Sequence, residues 1–302
     1  MSVPFSTEFD PRHGESVAVA PGVRRVTADN SGPFTFRGTN SYLVGERELA
    51  VIDPGPDDAA HLEALKRAIG ETPVSHILVS HTHRDHSPAA AQLQALTGAP
   101  IYAEGPHRAS RDLHIGESNP LDASADHSFV PDERLADGAL IKGDGWTLEA
   151  VATPGHTANH LAFAMREEKI LFSADHVMAW STSIVAPPDG SMGDFMASLD
   201  KLMARNEALY LPGHGGAVTD PSAFVRGLKT HRRMRERAIL DRLAKGDRTI
   251  PEMVAANYRG LDKRLVGAAA LSTLAHLEDL VGRALVATDG HAAIDGSYWL
   301  AD

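Results

Sequence analysis

Short apolar runs, each halted by Gly, Pro, Asp or His, recur through the first two thirds of the chain. LAVIDPG (Leu49 to Gly55) stops at Asp-Pro-Gly, and Asp57 to Ile69 then sets Leu62, Leu65 and Ile69 at helical spacing behind an aspartate suited to cap the helix. HILVSH (His76 to His81) repeats the buried-strand pattern. The alanine-rich Ser87 to Thr97 predicts a helix with Ser87 as its cap and Pro88 in its first position. WTLEAVATPG (Trp146 to Gly155) alternates as a strand should, and HLAFAM through KILFSADH predicts a hairpin turning near Glu167 and Glu168. Gly193 to Arg205 has the spacing of an amphipathic helix that feeds the apolar ALYLPGHG. Strand, loop and helix alternate, with polar residues gathered just after the strands. That arrangement predicts two sheets with helices outside and functional loops along one sheet edge.

The pattern changes after Gly216. From Asp220 through Leu243 it is almost purely helical, shorter segments follow, and a glycine-containing alternating stretch closes the chain from Arg283 to Leu300. We therefore expect a catalytic domain over 1–218 and a small helical domain over 219–302. Arg226 to Arg248 carries nine Lys or Arg against three Asp or Glu, a local excess of positive charge on a protein whose formal net charge is -11. The overall acidity argues against a protein that coats nucleic acid, but a local basic patch passes that test. With no cysteine among 302 residues, disulfides and thiolate ligands are excluded, so any metal site must be built from imidazole and carboxylate. The first residues lack the basic and apolar regions of an export signal, and no run reads as a bilayer span. The expectation is a cytoplasmic protein with no membrane partner.

Candidate chemistry concentrates in VSHTHRDHSPAA, where His81, His83, Asp85 and His86 share one loop at a strand end. A lone histidine is usually a satisfied surface or core group. Four ligand-type residues in a loop that buries no apolar surface have no packing reason to coincide, whereas a divalent cation needs such groups to converge. Three more candidates each follow an apolar run: His156 in TPGHT, Asp175 in LFSADH and His214 in LPGHGG. The glycines before the two histidines would let the chain turn sharply.

In this order HTHRDH, GHT, an isolated aspartate and GHG resemble the metallo-β-lactamase superfamily over roughly Gly38 to Gly216. The resemblance implies a four-layer αββα sandwich. It implies that His81, His83 and His156 hold one metal, that Asp85, His86 and His214 hold a second, and that Asp175 bridges them. Asp53 of VIDPG would be the carboxylate that orients a ligand histidine. No ligand position carries the glutamate of the oxygen-reducing branch or the cysteine of the true lactamases. Two divalent ions, zinc first with iron or manganese acceptable, would hold a bridging hydroxide as nucleophile, and Asp85 would accept a hydrogen bond from it.

The segment HRRMRERAILDRL with TIPEMVAANYRG and LSTLAHLEDLVGRALVA resembles the C-terminal winged helix of the beta-lactamase-like protein 2 subgroup, with His231, Arg232, Arg235 and Glu236 matching its HRxxRE start. Some members of that subgroup cleave single-stranded RNA, so the resemblance puts phosphodiester cleavage of RNA first. Thioester hydrolysis of the glyoxalase II type stands beside it, and a nucleic-acid-binding or scaffold protein with a structural metal is the reading from another class. His160, Trp180 and Ser181 are candidate substrate contacts, with Ser183 nearby; a plain strand histidine and a packed tryptophan are the bland alternatives. His176 should point away from the metals. His107, His114 and His127 fall in a polar connection between Glu104 and Gly143, long enough to serve as a lid or binding loop. Asn40 and Tyr42 serve the opening strand.

Overall fold

A computed structural model describes residues 3–301. Seven strands form the first sheet in sequence order: β1 (Ser16–Ala20), β2 (Val23–Thr27), β3 (Asn40–Val44), β4 (Leu49–Ile52), β5 (Val74–Leu78), β6 (Ile101–Ala103) and β7 (Glu133–Arg134). The pairs from β1 to β4 are antiparallel and those from β4 to β7 parallel. The parallel half needs helical crossovers, supplied by α1 (Ala59–Ile69) and α2 (Ala89–Thr97). The second sheet holds β8 (Leu140–Gly143), β9 (Trp146–Ala152), β10 (Leu161–Met165), β11 (Ile170–Ala174) and β12 (Leu209–Pro212), in the order β12-β11-β10-β9-β8. Here α3 (Met192–Met203) provides the crossover between the parallel β11 and β12. Strand residues facing inward, among them Tyr42, Ile52, Leu78, Trp146, Leu148, Phe163 and Phe172, pack the two sheets together. A second cluster buries α1 and α2 on the first sheet, and a third buries α3 on the second. The result is an αββα sandwich.

The expected α2 cap is corrected. The helix begins at Ala89 with Pro88 as its cap residue, and no side chain caps it. Ser87 Oγ instead donates to Asp126 Oδ2 at 2.8 Å, tying the His81–His86 loop to the 105–132 connection. By contrast, α1 is capped by Asp58, whose side chain accepts from Ala60 and His61 backbone N–H groups.

The C-terminal part comprises α4 (Pro221–Ala244), α5 (Ile250–Asn257), α6 (Val266–Gly282) and the hairpin β13 (Val286–Thr288) with β14 (Tyr298–Leu300). The long α4 belongs to two cores. Phe224, Val225 and Leu228 pack with α3, while Ile239 and Leu243 pack with α5 and α6. One expectation needs amending: Lys263–Gly282 is long and apolar enough to cross a membrane by length and composition. In the fold it is the central helix of this small domain, burying Leu274, Leu277 and Leu280 against its neighbours.

Candidate active site

The strand ends of both sheets meet at one edge, and the seven singled-out side chains converge there. The nitrogens His81 Nε2 and His156 Nε2 each lie 3.0 Å from His83 Nδ1. Beside this trio, His86 Nε2 stands 3.2 Å from Asp85 Oδ2, and His214 Nε2 3.1 Å from the same oxygen. Asp175 lies between the groups, with Oδ2 3.3 Å from His214 Nε2 and 3.7 Å from His156 Nε2, and Oδ1 3.5 Å from His86 Nε2.

Four of the five rings are aimed by a contact on their other side. His156 Nδ1 donates to Ile184 O at 2.6 Å, and His214 Nδ1 to Gly38 O at 3.2 Å. Asp53 Oδ2 stands 3.0 Å from His86 Nδ1, while its two oxygens also accept from Ser80 N and Oγ at 2.7 Å each. Ser80 Oγ in turn lies 3.0 Å from His81 Nδ1. These contacts hold the opposite nitrogens of His81, His86, His156 and His214 with lone pairs toward the cluster.

Backbone geometry explains the placement. Asp53 and Ala174, where β4 and β11 end, take positive φ of 49° and 43°, strain of the kind found at functional sites. Gly155 does turn sharply, at φ 139°, and a Cβ there would meet Phe195 backbone at 2.4 Å. Gly213 is needed for a different reason from the one expected: its Cβ would sit 2.5 Å from Asp175 Oδ1 and 2.7 Å from His86 Cε1. Asn40 Nδ2 and Tyr42 Oη both donate to Pro212 O, so the opening strand also fixes the His214 loop.

The electrostatics match a cation site. Burial pushes His83 down to about 3 and His81 well below its ordinary value, reinforced by the surrounding imidazoles, which keeps them neutral as ligands must be. Burial also opposes charge on His214, yet Asp175 and Asp85 raise it to about 9. His86 is likewise raised, by Asp85 and Asp175 against its burial. Asp85 and Asp175 thus favour positive charge beside the inner nitrogens of His86 and His214, a place that a divalent cation would take in exchange for protons. His86 Nε2 and Asp175 Oδ1 are buried without a hydrogen-bond partner, donors of the kind an ion satisfies. Three groups, His81–His83–His156, His81–His86–Asp175 and Asp85–His86–His214, have ligand atoms within 4.8 Å of one another.

The cluster forms the floor of a cavity of about 660 Å³. Met178, Trp180, Ser181, Ile184, Phe34 and Leu121 line it, and the C-terminal domain adds His231, Arg232, Arg235, Tyr258, Leu261 and Leu265. Trp180 stacks on Phe36 at 4.8 Å and 11°. Ser183 also borders the cavity while its hydroxyl is turned to the carbonyls of Asp175 and His176.

His160 is a correction. It is 1% exposed, packs behind His81 at 5.1 Å and bonds Thr153 Oγ1 at 2.8 Å, so a wall of histidines separates it from the cavity. His176 packs on Phe195, away from the ligand atoms. His107 meets Thr82 Oγ1 at 3.0 Å, and His114 stacks on His291 of the C-terminal hairpin at 3.9 Å. His127 pairs with Asp122 on the surface. The sequence reading missed Thr39, whose hydroxyl stands 3.3 Å from Asp85 Oδ2, and the cavity wall supplied by Tyr258 and Leu261.

This fold with this strand-end cluster defines a class, and comparison with known proteins agrees: the pattern of the Metallo-beta-lactamase superfamily matches residues 34–214, and the chain belongs to that superfamily of hydrolases. Within it, residues 249–296 match the Beta-lactamase associated winged helix domain. A beta-lactamase-like protein 2 homolog of Caenorhabditis elegans is 30% identical over 230 residues, 74% of this chain and 71% of the relative. An atrochrysone carboxyl ACP thioesterase of Aspergillus terreus is 28% identical over 271 residues, 84% of this chain and 78% of the relative. A beta-lactamase domain protein from Burkholderia ambifaria shares the fold with a TM-score of 0.79 at 23% identity, covering 97% of this chain and 95% of that one.

Proposed function

We propose that the protein hydrolyses a thioester at a centre of two divalent ions. His81, His83 and His156 would hold one ion and Asp85, His86 and His214 the other, with Asp175 shared. Zinc suits imidazole and carboxylate best, and iron or manganese accepts the same set. Bound there, such ions lower the pKa of a water and polarise a carbonyl. The chain's own residues do the rest. Asp53, Ile184 O and Gly38 O fix the rings before substrate arrives, so little reorganisation is left for the reaction. Asp85, with 24% of its side chain exposed, is open toward the cavity and placed to accept a hydrogen bond from the attacking water.

The observation that carries the thioester reading is the cavity. It is bordered by the second domain and walled chiefly by Phe34, Met178, Trp180, Ile184, Leu261 and Leu265, a lining suited to an acyl chain. The similarity to a named thioesterase supports it. Single-stranded RNA, the reading put first from sequence, gains less support because much of the arginine-rich α4 is neutralised. Lys229, Arg237 and Arg242 pair with Asp200, Asp241 and Asp247, and Arg232 and Arg235 turn into the cavity. A scaffold with a structural metal would need a closed ion site, whereas seven ligands around two ions leave positions open.

The test is a panel of a thioester, a phosphodiester, a β-lactam and single-stranded RNA, assayed with metal-loaded protein. The thioester should be turned over fastest. Faster cleavage of RNA, with binding that collapses steeply in added salt, would overturn the reading.

A further inference from the structure

On an acidic protein, the wall of this cavity is unexpectedly cationic. Arg84, Arg232 and Arg235 all border it, and the carboxylates that border it, Asp85 and Asp175, belong to the ligand cluster. Among the described residues, none of the three guanidinium groups forms an ion pair, although ten other arginines do: Arg12, Arg47, Arg108, Arg111, Arg166, Arg205, Arg237, Arg242, Arg264 and Arg283 each hold a carboxylate.

Arg232 is the telling case. It is 3% exposed, yet its hydrogen bonds reach only the carbonyl of Ser183 and, at 3.3 Å, the hydroxyl of Ser272; its guanidinium lies over the Phe195 ring at 4.9 Å, and its Nε is buried with no hydrogen-bond partner. Burial and the neighbouring Arg235 lower its pKa to about 10, while Tyr258 opposes that shift. Arg235, one helical turn away, lies over the Tyr258 ring at 4.3 Å and donates from one terminal nitrogen to Asn257 O at 3.1 Å, and no carboxylate among the described residues pairs with it. Arg84, between the ligand candidates His83 and Asp85, lines the same cavity with an exposed side chain. A buried cation without a counter-ion is costly unless something anionic joins it. Among the described residues, no carboxylate fills that role.

We propose that Arg232 and Arg235, with Arg84 on the same cavity, form an anion subsite in the catalytic cavity, so that the preferred thioester carries an anionic oxygen group away from the scissile bond. The proposal rests on the thioester reading. Arg235 offers the planar fork that takes a carboxylate or phosphate bidentately, and Arg232 supplies field from behind it. Two parts of such a substrate can bear that group: the acyl chain, as a terminal carboxylate, or the thiol carrier, as the phosphate of phosphopantetheine.

Two substrate pairs distinguish these sources: hexanoyl against adipoyl N-acetylcysteamine, and hexanoyl pantetheine against hexanoyl phosphopantetheine. In one pair the anionic member should show a kcat/KM at least ~10-fold higher, expressed mainly in KM, as expected for a charge-assisted contact. Arg235→Gln should bring that ratio close to one, Arg84→Gln should reduce it, and Arg235→Lys should restore part of it. Calorimetric binding of adipate against hexanoate, and of phosphopantetheine against pantetheine, reads the same subsite without turnover. No charge preference in either pair, or a preference that survives Arg235→Gln, overturns the subsite while leaving thioester hydrolysis standing. Absence of turnover with all four thioesters would count against the thioester reading itself, and equal binding within both calorimetric pairs would then overturn the subsite independently.

Discussion

Replacing Asp53 by Asn tests whether the cluster is prepared by its surroundings. Asp53 Oδ1 accepts from Ser80 N at 2.7 Å, and Oδ2 receives both the Ser80 hydroxyl at 2.7 Å and His86 Nδ1 at 3.0 Å. An asparagine must keep its oxygen toward the Ser80 N–H, which puts its amide NH2 where Oδ2 was. His86 Nδ1 then becomes an acceptor, and the ring proton moves to Nε2, the atom that faces Asp85 and Asp175. A ligand lone pair is replaced by an N–H, with almost no change in shape. Loss of such an orienting partner costs about 10- to 100-fold in metal affinity, or about 1.4–2.7 kcal/mol. The loss should fall on the Asp85–His86–His214 group, and less on His81, which Asp53 reaches only through Ser80 Oγ. Chelator-competition titration of metal-free protein, read as two affinities, checks this. Two unchanged affinities, or an equal fall in both with the fold intact, would refute the tautomer argument.

Two further outcomes follow from the same geometry. Gly213→Ala forces a methyl to within 2.5 Å of Asp175 Oδ1, so the carboxylate and His86 must shift; kcat should fall by about 100-fold, and Gly→Ala at Gly267, which has open space and an ordinary backbone, should be nearly silent in the same assay. His276 in α6 is buried with neither ring nitrogen partnered, and burial, helped by Arg232 and His231, lowers it to about 3. The unfolded chain takes up a proton near pH 6.5 that the folded chain refuses, so stability falls as pH drops from about 6.5 toward 3. At pH 5 this residue alone costs about 2 kcal/mol. Denaturant melts of metal-free His276→Gln against wild type should therefore converge as the pH is lowered from 7 to 5; a parallel decline would contradict it.

What the sequence made legible was chemistry carried by residue type and local spacing. The ligand set could be named because HTHRDH, GHT and GHG each sit at the end of an apolar run, and strand ends at one sheet edge have little choice but to meet. The α2 cap was misread because Ser87 has a stronger use, the carboxylate of Asp126, that no local rule reveals. His160 looked available on an alternating strand, yet the proximity of His81 and Thr153 buries it. The partners that aim the rings, Ile184 O for His156 and Gly38 O for His214, are backbone atoms 28 and 176 residues away, and a carbonyl leaves no signature in sequence. For the same reason the cavity's far wall, with Arg235 over Tyr258, emerges only when the C-terminal helices are seen packed against the first domain.

The most direct test of the two-ion account measures metal per chain and thioester turnover on the same preparation. The account predicts two divalent ions, loss of turnover as a chelator removes them, and loss of both in His81→Ala and Asp175→Ala variants that remain folded. Turnover that persists at full rate in metal-free protein, or full metal occupancy in both variants, would contradict it.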